Sequence, residues 1–229
     1  MKKVFEITFA LIIAVNLALA EEFTTSQAKG AKGILFQFQG LDALNVASYY
    51  GGIGLKYFIS DYVALCGVFQ LTVAKETVPY NGPQVGKDGK RSASVLGLGA
   101  GVEYHLTKTR LSPYLGAEVL FKTSSTEEVE PVLSGKPLKR TNSHMGLTID
   151  GNYYLPETRL GIVIVLGAEY YLVSSISIGG EYKFGLNYYS YKDEETYDPV
   201  NDETTITKWE SGSTLSVSTA GFLKLSVYF

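Results

Sequence analysis

Apolar residues recur at alternate positions along most of this chain, the period of a strand with one greasy face and not the 3.6-residue period of a helix. Residues 33–41 carry Ile34, Phe36 and Phe38 on one face and Gln37 and Gln39 on the other. Residues 49–59 set Ile53, Leu55, Tyr57 and Ile59 opposite Lys56, and residues 62–73 align Val63, Leu65, Phe69 and Leu71. Residues 92–106 place Leu96, Leu98, Ala100, Val102, Tyr104 and Leu106 against Gly97, Gly99, Gly101, Glu103 and His105. Further strands are predicted over residues 111–122, 159–173, 176–191 and 213–229. Strands of roughly 10–16 residues exceed the globular mode of about 5–6 and satisfy the ~9–11 that a tilted membrane strand needs.

The connections alternate in length. Ser60-Asp61, residues 107–110 and Ser174-Ser175 are short turns, whereas residues 75–91, 123–158 and 192–212 are long and rich in turn formers such as Pro79, Asn81-Gly82 and Asp88-Gly89. The connection over residues 42–48 is the exception, and a strand extension is expected near residues 145–149 within the longest loop. Eight strands joined this way predict an all-β, antiparallel, up-and-down barrel with turns at one end and loops at the other.

Alternation alone does not say whether the apolar face points in or out. A lipocalin-like soluble barrel is apolar inside, and a membrane barrel is apolar outside. Four features favour the membrane: the export signal, the loop asymmetry, the regular terminal strand that finishes on Phe229, and the polar face itself. It carries Lys56, Glu103, His105, Glu118, Glu169, Glu181, Lys183 and Lys224 in mid-strand, interleaved with glycine. Glycine weakens a solvent-facing strand, but inside a narrow barrel it makes room for long side chains. Gly54-Leu55-Lys56-Tyr57, Gly101-Val102-Glu103-Tyr104 and Gly167-Ala168-Glu169-Tyr170 repeat just before the short turns. That spacing points each charge into the lumen and each tyrosine toward an interfacial aromatic girdle.

Composition narrows the function. Lys+Arg number 20 and Asp+Glu 23, so no basic field invites nucleic acid. The one cysteine, Cys66, excludes an intramolecular disulfide and falls on the lumen face as a small packed residue. Residues 1–20 read as a cleaved signal peptide: Lys2 and Lys3, an apolar stretch, then Ala18-Leu19-Ala20. Residues 21–229 form the barrel domain, after a polar lead-in over residues 21–29. Beyond the signal the best apolar run, residues 160–168, is far short of the roughly 20 residues of a membrane helix.

Residues 51–61 (Gly-Gly-Ile-Gly-Leu-Lys-Tyr-Phe-Ile-Ser-Asp), the glycine-rich fourth strand and the terminal run from Leu223 to Phe229 resemble the small outer-membrane β-barrel superfamily, the porin-like, OmpA/OmpX/OmpW-type eight-stranded barrels of Gram-negative bacteria. The resemblance implies an outer-membrane location, contact with outer-membrane lipid, and Phe229 as the signal read by the barrel assembly machinery. It implies a structural or surface-interaction role in the cell envelope, with an extracellular ligand bound through the long loops. The alternative is a narrow porin-like channel for small solutes.

Chemistry is sparse. His144 lies in the longest loop without a His-x-Ser-Asn arrangement, and no orienting acid is placed beside it, so no enzyme activity is expected. The acidic residues of the last loop, Asp193, Glu194, Glu195, Asp198, Asp202 and Glu203, lack calcium-loop spacing and read as a solvated tip. No metal or cofactor is expected. The lumen charges either interlock as a plug or line a narrow polar path. Eight strands leave an interior just wide enough for side chains to fill, which favours the plug.

Overall fold

The computed structural model describes residues 25–39, 51–208 and 214–229. The expected signal peptide (residues 1–20) and the expected 42–48 connection lie outside the described residues.

Eight strands close into a ring: β1 (Lys32–Gln39), β2 (Gly51–Phe58), β3 (Val63–Val78), β4 (Gly89–His105), β5 (Leu111–Val129), β9 (Glu157–Val173), β10 (Ile176–Tyr191) and β13 (Thr214–Tyr228). Each pairs antiparallel with the next. β5 runs beside β9 from Leu111↔Tyr170 to Thr123↔Thr158, and β13 closes on β1 from Gly33↔Tyr228 to Gln39↔Phe222. Closure removes the sheet edges that would otherwise leave backbone groups unpaired.

The strands outrun the expected loops. β3 and β4 stay in register out to Val78↔Gly89, so only residues 79–88 connect them, in place of the loop expected over residues 75–91. The β-branched and alternating residues Val73, Thr77 and Val78 favour this extension, and Arg91 ties it across to Glu128 at 2.8 Å.

Residues 123–158 hold far more structure than a polar loop. β5 continues past the point where β9 leaves it and pairs there with β6 (Lys139–Thr141). β6 pairs in turn with β11 (Glu194–Asp198), and β11 with β12 (Glu203–Thr207). The last loop is therefore a β-hairpin, not merely a solvated acidic tip. A sheet in the order β3-β4-β5-β6-β11-β12 thus stands above the long-loop end of the ring.

The expected extension near residues 145–149 is β7 (Leu147–Ile149), paired with β8 (Asn152–Tyr154). Asp150 and Gly151 between them have φ of 49° and 78°, the left-handed pair that an Asp-Gly two-residue hairpin requires. Leu147 and Ile149 are buried against Ala93, with Ala74 and Tyr154 packed alongside. The hairpin therefore folds onto the inner face of the wall.

Candidate functional site

The two faces of the ring differ sharply. Outward positions are apolar and open: Leu55, Leu71, Val119, Ile162, Ile164 and Leu186 are each about half exposed or more. On β10 the outward row runs Ile178, Gly180, Tyr182, Phe184, Leu186, Tyr188. At ~3.3 Å per residue and a tilt of ~40°, it covers about 25 Å of height, the thickness of the lipid-facing band of membrane barrels. Tyr57, Tyr62 and Tyr104 stand exposed at the turn end of this belt. There the Lys108 ammonium lies 5.9 Å from the Tyr62 ring and the Arg110 guanidinium 5.2 Å from that of Tyr170, an arrangement suited to the membrane–water boundary. The chain is a transmembrane β-barrel. Its Ile164→Arg variant is expected to lose about 2–4 kcal/mol of folding stability in lipid vesicles, while Ile164→Leu is silent. Equal stability of the arginine variant would place this face away from lipid.

The barrel's lumen is packed with charge. Lys56 contacts Glu103 and lies 2.9 Å from Glu169. Lys224 lies 2.7 Å from both Glu103 and Glu181, and 3.6 Å from Glu169. Lys183 extends the network upward, 2.7 Å from Glu118 and 3.4 Å from Glu181. Lys56, Lys224 and Glu169 are 0–1% exposed, so water does not screen these pairs. The eight lumen residues singled out in the sequence all sit here: His105 is fully buried, its Nε2 3.3 Å from Glu103.

Four carboxylates face three ammonium groups, and neutral donors solvate the excess. Tyr114 donates to Glu181 at 2.6 Å, Tyr228 to Glu169 at 2.7 Å and Gln37 to Glu181 at 3.0 Å. Lys224 also lies 4.8 Å from the Tyr114 ring centroid. These satisfied partners are what make a buried charge network tolerable. The glycine–charge–tyrosine repeat points Tyr57, Tyr104 and Tyr170 to the outer girdle. Parity places Tyr114, Tyr171 and Tyr228 inside, because they share a face with Glu118, Glu169 and Lys224 respectively.

Glycine makes this packing feasible. A Cβ at Gly101 would come 2.6 Å from Glu118 Cγ, and one at Gly167 would come 2.3 Å from Tyr114 Cζ. The bulky partner on the neighbouring strand occupies the space each glycine leaves. Cys66, also on this face, is 8% exposed.

Below the charges lies an aromatic layer. The His105 ring sits 5.3 Å from that of Phe58 and 5.0 Å from that of Tyr114, and Tyr171 stacks on Tyr228 at 5.7 Å. Beneath it, the described part of the polar lead-in, residues 25–29, folds across the turn end. The Ser26 amide donates to the Ser174 carbonyl at 3.2 Å. Gln27 is fully buried, and its amide donates to the carbonyls of Asp61 (3.1 Å) and Thr107 (3.0 Å). Three separate turns are thereby stitched by one short segment. Asp61 adds a tie to Lys108 at 2.7 Å, which holds its carboxyl below the ordinary carboxylate range. The signal for this cork was thin: a Thr- and Gln-bearing stretch just ahead of the first alternating strand.

Ser112, His105 and Glu103 form a hydrogen-bonded row, with Ser112 Oγ 2.8 Å from His105 Nδ1. The row resembles a nucleophile with its base, but Ser112 is fully buried and its oxygen also lies 2.8 Å from the Thr107 carbonyl and 3.1 Å from Gln27 Oε1. As arranged it braces the cork and offers no substrate a path. His144 lies apart, in the outer segment, its backbone amide donating to Glu194 at 2.7 Å. Among the described residues no cluster of three or more His, Cys, Asp or Glu could hold a metal ion.

No family model matches the chain, and no curated protein sequence does. Solved structures do resemble it. The N-terminal β-barrel domain of Pseudomonas aeruginosa OprF shares 14% identity over 88% of this chain and 98% of that one, with a TM-score of 0.34. Acinetobacter baumannii CarO2 shares 11% identity over 87% and 98%, at 0.39. Ail, the attachment invasion locus protein of Yersinia pestis, shares 9% over 87% and 98%, at 0.34. At such distances nothing about ligands transfers. The closed ring, its apolar belt and its charged interior are what define this protein.

Proposed function

We propose that the protein is a non-enzymatic outer-membrane barrel that serves the cell envelope structurally and presents a rigid surface for interaction outside the cell. One observation carries this reading: the lumen is filled while the loop end is built up. A conduit needs a continuous polar path, whereas here an interlocked charge network, an aromatic layer and a cork stack in series. The outer segments are tied instead of loose. Lys87 and Val132 exchange backbone hydrogen bonds of 2.7 and 3.0 Å, and Lys136 bonds Asp202 at 2.7 Å, so the three hairpin tips hold one another. A pre-ordered surface binds without the entropy loss of ordering a loop.

In this reading the turns face the periplasm and an extracellular ligand meets the sheet. Outer-membrane lipid surrounds the belt, and the barrel assembly machinery reads the strand that ends in Phe229. External protease on intact cells tests the topology. Cleavage is expected in the tips at residues 79–88, 130–138 and 199–202, with residues 107–110 spared. Cutting at residues 107–110 while the tips survive would invert the barrel and remove the surface-interaction role.

A further inference from the structure

Just above the belt, β3 and β4 build a small polar square on the lipid-facing side of the wall. Register sets Lys75 opposite Ser92 and Thr77 opposite Lys90. All four share the outward parity of Leu71 and Val73. The two ammonium groups therefore occupy one diagonal and the two hydroxyls the other. Diagonal neighbours in an antiparallel pair lie about 7–8 Å apart at Cα, so both flexible lysine stems reach a single anion.

Three observations mark the square as a site and not merely a solvated patch. First, the neighbouring charges are matched and these two are not. Arg91 pairs with Glu128 at 2.8 Å, and Lys139 with Glu127 at 2.8 Å. Lys75 and Lys90 have no ion-pair or hydrogen-bond partner among the described residues, and the nearest outward carboxylate, Glu127 beside Ser92, is taken by Lys139. Like charges side by side on one sheet face repel, so the pair gains from a shared counter-anion.

Second, the height is right. Lys75 lies two residues beyond Val73, the last outward apolar residue of β3. That is about 5 Å of rise at ~3.3 Å per residue and a tilt of ~40°, which takes the ammonium from the hydrocarbon edge into the headgroup layer. Third, the feature is local. The corresponding outward positions of β9 and β10 are Thr158, Tyr188 and Ser190, which carry no charge.

We propose that this square binds the phosphate of a lipid headgroup in the loop-side leaflet, with Lys75 and Lys90 neutralising it and Thr77 and Ser92 donating to its free oxygens. Each lysine near an anionic surface is worth about 1 kcal/mol. Loss of both predicts about thirty-fold weaker retention at 1.4 kcal/mol per decade.

The test is native mass spectrometry of the full barrel released from phosphatidylcholine nanodiscs doped with lipid A or with phosphatidylglycerol. The wild type should carry the doped anionic lipid, K75Q/K90Q about thirty-fold less, and the tip variant K87Q as much as the wild type. Preference for lipid A over phosphatidylglycerol assigns a bisphosphorylated headgroup, and equal retention assigns a single lipid phosphate. Equal retention by K75Q/K90Q and the wild type overturns the proposal. The site rests on the membrane reading, and the two fail differently. A barrel that will not enter nanodiscs defeats that reading, whereas one that enters and shows no lipid selectivity defeats only the site.

Discussion

A Lys224→Met barrel should unfold with about 3–5 kcal/mol less stability than the wild type, the usual loss when one partner of a buried charge network is removed. Lys224 is the junction of the lumen: it reaches Glu103 and Glu181 at 2.7 Å and Glu169 at 3.6 Å. Methionine keeps much of the stem's volume, so the change isolates the charge. Without it, Glu103 and Glu169 share only Lys56, and Glu181 retains Lys183 at 3.4 Å. Three carboxylates then crowd a region that excludes water, where repulsion is poorly screened. Urea titration in lipid vesicles measures the loss. Neutralising the stranded partners, as in K224M/E103Q/E181Q, should recover much of it, because matched removal of a network is far milder than breaking it. A loss under about 1 kcal/mol for Lys224→Met alone would mean that water reaches this layer and that the lumen is not dry.

The second large effect is electrical. The refolded wild-type barrel should be silent in a planar bilayer, and neither seal removed singly should open it. Glu103→Ala/Glu169→Ala strips Lys56 of both its carboxylates, leaves Lys224 only Glu181 and frees Tyr228, which Glu169 holds at 2.7 Å, but Gln27 still spans the turns beneath. Deleting residues 25–31 removes that cork and leaves the network interlocked. The combined variant should give stable openings. Openings in the wild type would overturn the plug and restore the porin-like alternative. Openings in the Glu103→Ala/Glu169→Ala variant with the N-terminal segment intact would show that the cork is no barrier.

Much of this barrel was readable as parity. Leu98, Val102 and Tyr104 fall outward, and Gly101, Glu103 and His105 inward, because neighbouring side chains on a strand must take opposite faces. Strand ends were harder. The sheet above the membrane keeps its backbone pairing with polar outward residues such as Lys75, Thr77 and Ser92, so the apolar signal stops at the lipid edge while the strand continues. The Asp150-Gly151 pair, flanked by Leu147 and Ile149, carries a two-residue hairpin signal more specific than the strand extension expected there.

By itself, then, the sequence determined the strand period, the even number of long strands, the inside and outside of each, and which charges face inward. These are local properties: each follows from residues a few positions apart. Only the tertiary structure decided which charges meet, that tyrosines and a glutamine complete the network, and that residues 25–31 close the turn end. Lys56 and Glu169 are 113 residues apart, and Gln27 and Thr107 are 80 apart. Closure of the ring fixes the relative stagger of all eight strands at once. It is that stagger, a property of no single segment, that brings such residues to the same height.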